Sequence, residues 1–212
     1  MEFRLPKIYP FTDTILAGVS HAEQVRHLSA AGARLIQLRE KKQSSSEFTA
    51  AAVEAIEAAR AFGTKIMIND RVDIAMLVGA DGVHLGQDDL PPEAARRLLG
   101  DRAIIGLSTH TIDQVEKAIK LPIDYLAFGP IFQTATKADA DPVVGLQPLR
   151  LIREIAGDLS VVAIGGIGRS NLLATLNAGA DSVAVISAVL GGPAPIGDAF
   201  AKLAQIANPP TS

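Results

Sequence analysis

The residues of this chain able to do chemistry sit at the ends of short apolar runs. Gln37, Arg39 and Lys41 surround or follow Leu38; Asn69-Asp70 ends Ile66-Met67-Ile68; Gln87-Asp88-Asp89 follows Val83-His84-Leu85; and Ser108-Thr109-His110 ends Ile104 to Leu107. Further along, Thr134, Thr136 and Lys137 follow the run around Leu126, Gly165-Gly166 closes the run around Val162, and Ser187 closes the one around Ala184. Arg39, Lys41 and Lys137, with two amides and several hydroxyls, suit a strongly anionic ligand. Asp70 and Asp89 would repel such a ligand unless a cation lay between. Mg²⁺ typically takes one or two protein carboxylates and fills its shell with water and substrate phosphate oxygens. These residues therefore point to a diphosphate–Mg²⁺ site. A second anion site is expected where Gly165-Gly166 and the Ile186-Ser187-Ala188 turn offer backbone N–H groups. Two such sites imply two phosphorylated reactants, or one molecule phosphorylated twice.

Each feature has a plainer reading. Asp70 before Arg71-Val72 reads as a helix N-cap, Asp88 and Asp89 before Leu90-Pro91 as turn and cap residues, and Arg39-Glu40-Lys41-Lys42 as a solvated charge run. Thr134 to Lys137 reads as a polar loop, and the glycine pair as a tight packing point. His84, within an apolar strand, reads as a satisfied interior residue; His21 and His27 read as helix-surface residues. The functional case rests on these features meeting at one place.

The elements that would bring them together are repeated βα units. Short β-branched runs centred on Ile8, Ile36, Met67, Val83, Ile105, Leu126, Val162 and Ala184 alternate with helical stretches, the pattern of a parallel sheet. Ser20-x-x-Glu23 and Ser44-x-x-Glu47 read as capping boxes, Pro91-Pro92 suits a first turn, and Ser170 is placed to cap the helix through Asn177. Ala31-Gly32-Ala33-Arg34, Val78-Gly79-Ala80-Asp81 and Ala178-Gly179-Ala180-Asp181 echo one another before even-numbered strands, and Leu121 to Asp124 holds the same place before the sixth. Eight units in 212 residues leave about 26 residues each, near the small end for a (β/α)₈ barrel. The expected fold is α/β, a single-domain TIM barrel over residues 1–212. A dinucleotide fold would place a glycine fingerprint after the first strand, where Tyr9-Pro10-Phe11-Thr12-Asp13 stands instead.

Composition narrows the function further. Lys+Arg 20 against Asp+Glu 23 gives a net charge of -3, so there is no basic excess for nucleic acid. With no cysteine, disulfides, Cys–zinc sites and thiol nucleophiles are excluded. The longest charge-free stretch, between Asp181 and Asp198, holds 16 residues broken by Gly191-Gly192-Pro193, short of the roughly 20 a membrane span needs. A soluble, cytoplasmic protein without membrane or nucleic-acid partners is expected, its oligomeric state open.

Five segments together resemble thiamine phosphate synthase: Gln37-Leu38-Arg39-Glu40-Lys41, Ile68 to Asp73, Ala80 to Leu90, Gly129 to Lys137 and Ile164-Gly165-Gly166-Ile167. The resemblance runs from Tyr9 to about Leu190. It implies a (β/α)₈ transferase joining hydroxymethylpyrimidine diphosphate to thiazole phosphate, with release of diphosphate and formation of thiamine monophosphate. By that resemblance Asp70 and Asp89 hold Mg²⁺; Arg39, Lys41, Asn69, Ser108 and Lys137 grip the diphosphate; Gln37 contacts the pyrimidine; and Thr134, Thr136, Gly166, Ile186 and Ser187 bind thiazole phosphate. The implied mechanism is dissociative. Gln133 departs from the Pro that many members carry there, without removing a ligand. Two alternatives stand beside this reading: a thiazole tautomerase-like isomerase, in which His110 would matter, and a non-catalytic regulator that binds a thiamine precursor.

Overall fold

The computed structural model describes residues 4–134 and 142–209. Eight parallel strands close a barrel in chain order: β1 (Ile8–Thr12), β2 (Leu35–Leu38), β3 (Lys65–Asn69), β4 (Gly82–Leu85), β5 (Ile104–Thr109), β6 (Tyr125–Phe128), β7 (Ser160–Ala163) and β8 (Ser182–Val185). Every expected strand centre falls inside its strand. The helices on the outside are α1 (Thr14–Ala17), α2 (His21–Ala30), α3 (Ser45–Arg60), α4 (Val72–Val78), α5 (Pro92–Leu99), α6 (Ile112–Ala118), α7 (Leu146–Ala156), α8 (Leu172–Asn177), α9 (Ser187–Leu190) and α10 (Ile196–Ala207). No helix among the described residues is long and apolar enough to cross a membrane.

Alternation along the strands makes two cores. Outward residues such as Ile36, Ile68, Val83, Ile105 and Leu126 join the helices in one large cluster. Inward residues, among them Tyr9, Leu35, Met67, Ile104, Tyr125 and Val162, fill the barrel. The interior is thus mainly aliphatic but carries two phenols at its centre. Gly106 makes room for one of them: a Cβ there would lie 2.1 Å from the Tyr125 ring.

The helix starts follow their local chemistry, with two corrections. Ser44 and Glu47 form a full capping box, and Pro92 opens α5. Ser20 accepts from Glu23 N but no reciprocal bond completes that box. Ser170 does not cap α8. Asn171 stands at its N-cap, and its side chain instead accepts from Gly168 N at 2.8 Å and donates to Gly166 O at 3.0 Å, bracing the loop after β7.

At the end opposite the strand C-termini, three echoed aspartates clamp neighbouring strands. Asp81, Asp124 and Asp181 precede β4, β6 and β8 and accept from the N–H of Ile66, Ile105 and Val161 at 2.9, 2.7 and 2.8 Å. Each also pairs with a cation, Lys65, Arg96 or Arg153, at 3.0, 2.8 and 2.6 Å. The echo before β2 ends in Arg34 and has no carboxylate to offer.

Candidate active site

The strand C-termini open on a mouth with two lobes that share Arg39, Lys41, Thr134, Gly166, Ile167 and Ser187 as lining residues. One lobe, of about 640 Å³, adds Asn69, Asp70, Asp89, Ser108, His110 and Ile186. The other, of about 910 Å³, adds Asp13, Glu40, Gln133 and Asn171. The structure therefore brings Arg39, Lys41, Asn69, Asp70, Asp89, Ser108, Thr134, Gly166, Ile186 and Ser187 around one space. Thr136 and Lys137 lie outside the described residues.

Asp70 is not the helix cap that its sequence context suggests. Arg71 holds the N-cap position of α4 without a side-chain bond, and Asp70 has φ 63, the one positive φ on a non-glycine residue among those described. A left-handed residue with a Cβ costs about 1–2 kcal/mol, less for Asp than for most. Asp70 N donates to His84 O at 2.8 Å, and its carboxylate pairs with Lys41. Asp89 caps no helix either: its carboxylate accepts from Gly86 N at 2.7 Å, within the loop after β4. Burial pushes Asp89 above the usual carboxylate range, with the charge and hydrogen bonding of Asp70 adding to it and the Gly86 N–H opposing.

Two carboxylates forced together beside one lysine suit a divalent cation. No group of three or more His, Cys, Asp or Glu side chains able to hold a metal occurs among the described residues. That donor set is too small for a structural zinc but fits Mg²⁺, which keeps water and phosphate oxygens in its shell.

Lys41 and Lys42 are exposed, but Arg39 and Glu40 do not belong to a solvated charge run. Arg39 donates to Asp13 at 3.0 Å, and Asp13 also caps α1 through Ile15 N and Leu16 N. The Glu40 side chain is 4% exposed. Burial alone would raise its pKa, but the N–H groups of Lys42, Gln43 and Lys41 and the Thr14 hydroxyl hold it below the usual range. The loop after β2 is thus wound around Glu40, which fixes where Arg39 and Lys41 emerge. His21 is a second correction: it is 1% exposed, its Nδ1 lies 2.7 Å from Thr12 Oγ1, and its Nε2 faces Glu40 at 3.4 Å. Burial lowers its pKa despite the Glu40 charge.

Gln37 lies beneath the mouth rather than on its wall. It is fully buried, and its Nε2 donates to Tyr9 Oη at 2.9 Å. Its Oε1 and the Nδ2 of Asn69 are buried with no hydrogen-bond partner among the described residues. His84 is the satisfied interior residue expected, stacked on Tyr125 with ring centroids 5.6 Å apart, its Nδ1 3.0 Å from Tyr125 Oη and its Nε2 2.8 Å from Ser108 Oγ. Burial lowers its pKa to about 4, with Asp70 pulling the other way. The His110 Nδ1 lies 2.7 Å from Gly129 O and so carries the proton there.

On the other side of the mouth the glycine pair does two things. Gly165 (φ 101) and Gly166 (φ 62) adopt backbone conformations open to few other residues. Added Cβ atoms would meet Pro130 Cβ at 2.5 Å and Gln133 O at 2.4 Å. The contact that demands glycine is thus with the loop after β6. That loop is laced down by Ile131 N to Ile164 O at 2.8 Å and Phe132 N to Gly165 O at 3.0 Å. Ser187 is exposed at the start of α9, and Thr134 lines both lobes with it.

Sequence reasoning passed over Asp13, Glu40, Tyr9 and Tyr125. Asp13 offered a signal, an acid directly after the first strand followed by Thr14-Ile15-Leu16. Glu40 and the two tyrosines gave none, since their partners lie far away in the chain.

A family model described as thiamine monophosphate synthase matches residues 8–189. The chain is 46% identical over 187 residues to the thiamine-phosphate synthase of Methanospirillum hungatei, covering 88% of this chain and 90% of the relative. It is 45% identical over 200 residues to that of Syntrophomonas wolfei, covering 94% and 95%. The structure of thiamine phosphate pyrophosphorylase from Pyrococcus furiosus superposes with a TM-score of 0.85 at 37% identity, covering 95% of each chain.

Proposed function

The chain belongs to the thiamine monophosphate synthase family and acts as a thiamine-phosphate synthase, a transferase; from that premise we propose which residues carry the reaction and how. The substrates are hydroxymethylpyrimidine diphosphate and thiazole phosphate, and the products are thiamine monophosphate and diphosphate. The observation that supports this most is the meeting of Arg39, Lys41, Asn69, Asp70, Asp89 and Ser108 in one lobe, with Thr134, Gly166 and Ser187 shared with the second.

Asp70 and Asp89 would hold Mg²⁺, which when bound neutralises charge gathering on the leaving diphosphate. Arg39 and Lys41 bind the diphosphate oxygens, released for this from Asp13 and Asp70, and Asn69 and Ser108 add neutral donors. Lys137 is assigned the same role. The pyrimidine rests over the buried amides: an amino group and ring nitrogens complement the unpartnered Gln37 Oε1 and Asn69 Nδ2. Thiazole phosphate takes the other wall, with Thr134, Thr136, Gly166, Ile186 and Ser187.

The reaction is dissociative. The bond from the pyrimidine methylene carbon to the diphosphate oxygen breaks first, its electron pair leaving with the diphosphate. The ring amino group stabilises the methylene cation, and the thiazole nitrogen donates its lone pair to form the new C–N bond. The chain's residues orient both partners and bind the developing charge; no protein nucleophile is required. Residues 1–212 act as one domain, and a cytoplasmic location suits substrates too highly charged to cross a membrane unaided.

Purified chain supplied with Mg²⁺ and both precursors is expected to form thiamine monophosphate and diphosphate in equal amounts, with formation halted by a chelator. Absence of product under those conditions would overturn the assignment.

A further inference from the structure

Four hydrogen bonds run through the barrel interior to the floor of the mouth: Gln37 Nε2 to Tyr9 Oη at 2.9 Å, Tyr9 Oη to Tyr125 Oη at 3.2 Å, Tyr125 Oη to His84 Nδ1 at 3.0 Å, and His84 Nε2 to Ser108 Oγ at 2.8 Å. Tyr9, Gln37, Tyr125 and His84 are all buried; of the five residues, Ser108 and the edge of His84 line the cavity. Burial pushes both phenols well above their ordinary pKa, so each keeps its single proton.

Such a chain permits only two directions of donation, because each hydroxyl has one proton and one imidazole nitrogen must donate when the other accepts. Its far end decides between them. The Gln37 amide turns its N–H₂ to Tyr9, so Tyr9 accepts there and passes its own proton to Tyr125. Tyr125 then donates to His84 Nδ1, and the ring carries its proton on Nε2. Ser108 Oγ must accept that proton, which leaves the Ser108 hydroxyl hydrogen pointing away from His84.

We propose that Gln37, Tyr9, Tyr125 and His84 are positioning residues that fix the direction of the Ser108 hydroxyl, making it a hydrogen-bond donor into the mouth. The ligand chemistry this selects is an anionic oxygen at Ser108; under the function proposed above, that oxygen belongs to the leaving diphosphate. The opposite direction would make Ser108 spend its proton on His84 and present a lone pair to an anion. The amide is also oriented for its second task, since Oε1 remains as an acceptor for a ligand N–H. One buried amide thus matches both substrate ends: it accepts from the ring and, four hydrogen bonds away, sets a donor for the leaving group.

The test uses the full chain with ¹⁵N-labelled histidine. Of its four histidines, His84 is assigned by the signals lost in His84→Gln. The ligand-free protein should show His84 protonated at Nε2. Protonation at Nδ1 would mean the chain runs the other way and would overturn the proposal, whatever the enzyme's activity. Tyr125→Phe keeps the ring and removes one link. It should release the tautomer, seen as a population of the Nδ1–H form, and weaken binding of inorganic diphosphate with Mg²⁺ by about tenfold. Turnover should fall by a similar factor with KM for thiazole phosphate unchanged. In Ser108→Ala the further change Tyr125→Phe should cost nothing more; losses that multiply would show Tyr125 acting by packing alone and would sink the idea. Failure of the wild-type chain to make thiamine monophosphate would instead reject the functional assignment, and the tautomer measurement would still judge the chain of bonds.

Discussion

The wall formed by β2, β3 and β4 and the wall formed by β7 and β8 face the same mouth with different materials. The first presents charged side chains, each resting on an opposite charge: Arg39 on Asp13, Lys41 on Asp70. The second presents backbone and small side chains, with Gly165 and Gly166 pressed against the loop after β6. Paired charges can exchange partners as a ligand's charge changes; a backbone wedge cannot. The contrast matches a reaction in which one reactant gains charge on its departing part while the other keeps its phosphate throughout.

Removing charge from the first wall should have the largest effect. Asp70→Asn preserves a residue type that tolerates a left-handed backbone, so its melting temperature should stay close to wild type while turnover falls on the order of 10³-fold. A variant that melts early, or one with intact turnover, would break the division between charge and shape. On the second wall, Gly166→Ala forces a Cβ into Gln133 O and should cost about 1–3 kcal/mol of local order. The expected result is a rise of about tenfold in KM for thiazole phosphate, with KM for the diphosphate substrate unchanged, as read from separate substrate titrations.

Acid should also distinguish the walls. His84, on β4, has an ordinary pKa of 6.5 lowered to about 4 in the fold. Above pH 6.5 the ring is neutral folded or unfolded and makes no difference to stability. As pH falls from there toward 4 the unfolded chain takes up a proton that the folded ring refuses, and stability drops by up to about 1.4 kcal/mol per unit, about 3 kcal/mol in all. Urea unfolding of wild type and His84→Gln at pH 7 and pH 5 checks this; the variant should lose less between the two. The smallest effect expected is that of Ser187→Ala, at most a few-fold in KM for thiazole phosphate, because the backbone of that wall remains in place.

How much of this was legible beforehand depended on distance along the chain. All eight strands could be placed because strands buried on both faces read as short apolar β-branched runs. The grouping of polar residues at one end followed from parallel topology, which puts every strand's end at the same mouth. Asp70 could be singled out but not its backbone, since the N-cap and the left-handed turn use the same residue types. His21 was misread although Val25 and Leu28 stand four and seven residues on, the spacing of one helix face. What could not be read were partners from distant strands: Tyr9 with Tyr125, Asp13 with Arg39, and the loop wound on Glu40.

The aspartate clamps at the closed end carry a different lesson, about assembly. Asp81, Asp124 and Asp181 tie β4 to β3, β6 to β5 and β8 to β7, each within about 20 residues of sequence, as the separations of 15, 19 and 20 record. The barrel is thus built of contiguous strand pairs that can dock early, since short loops close at little entropic cost. Of the four successive pairs, only β1–β2 lacks this tie among the described residues. It also adjoins the seam where β1 must find β8 across the whole chain, so closure of the ring falls to the least clamped quarter.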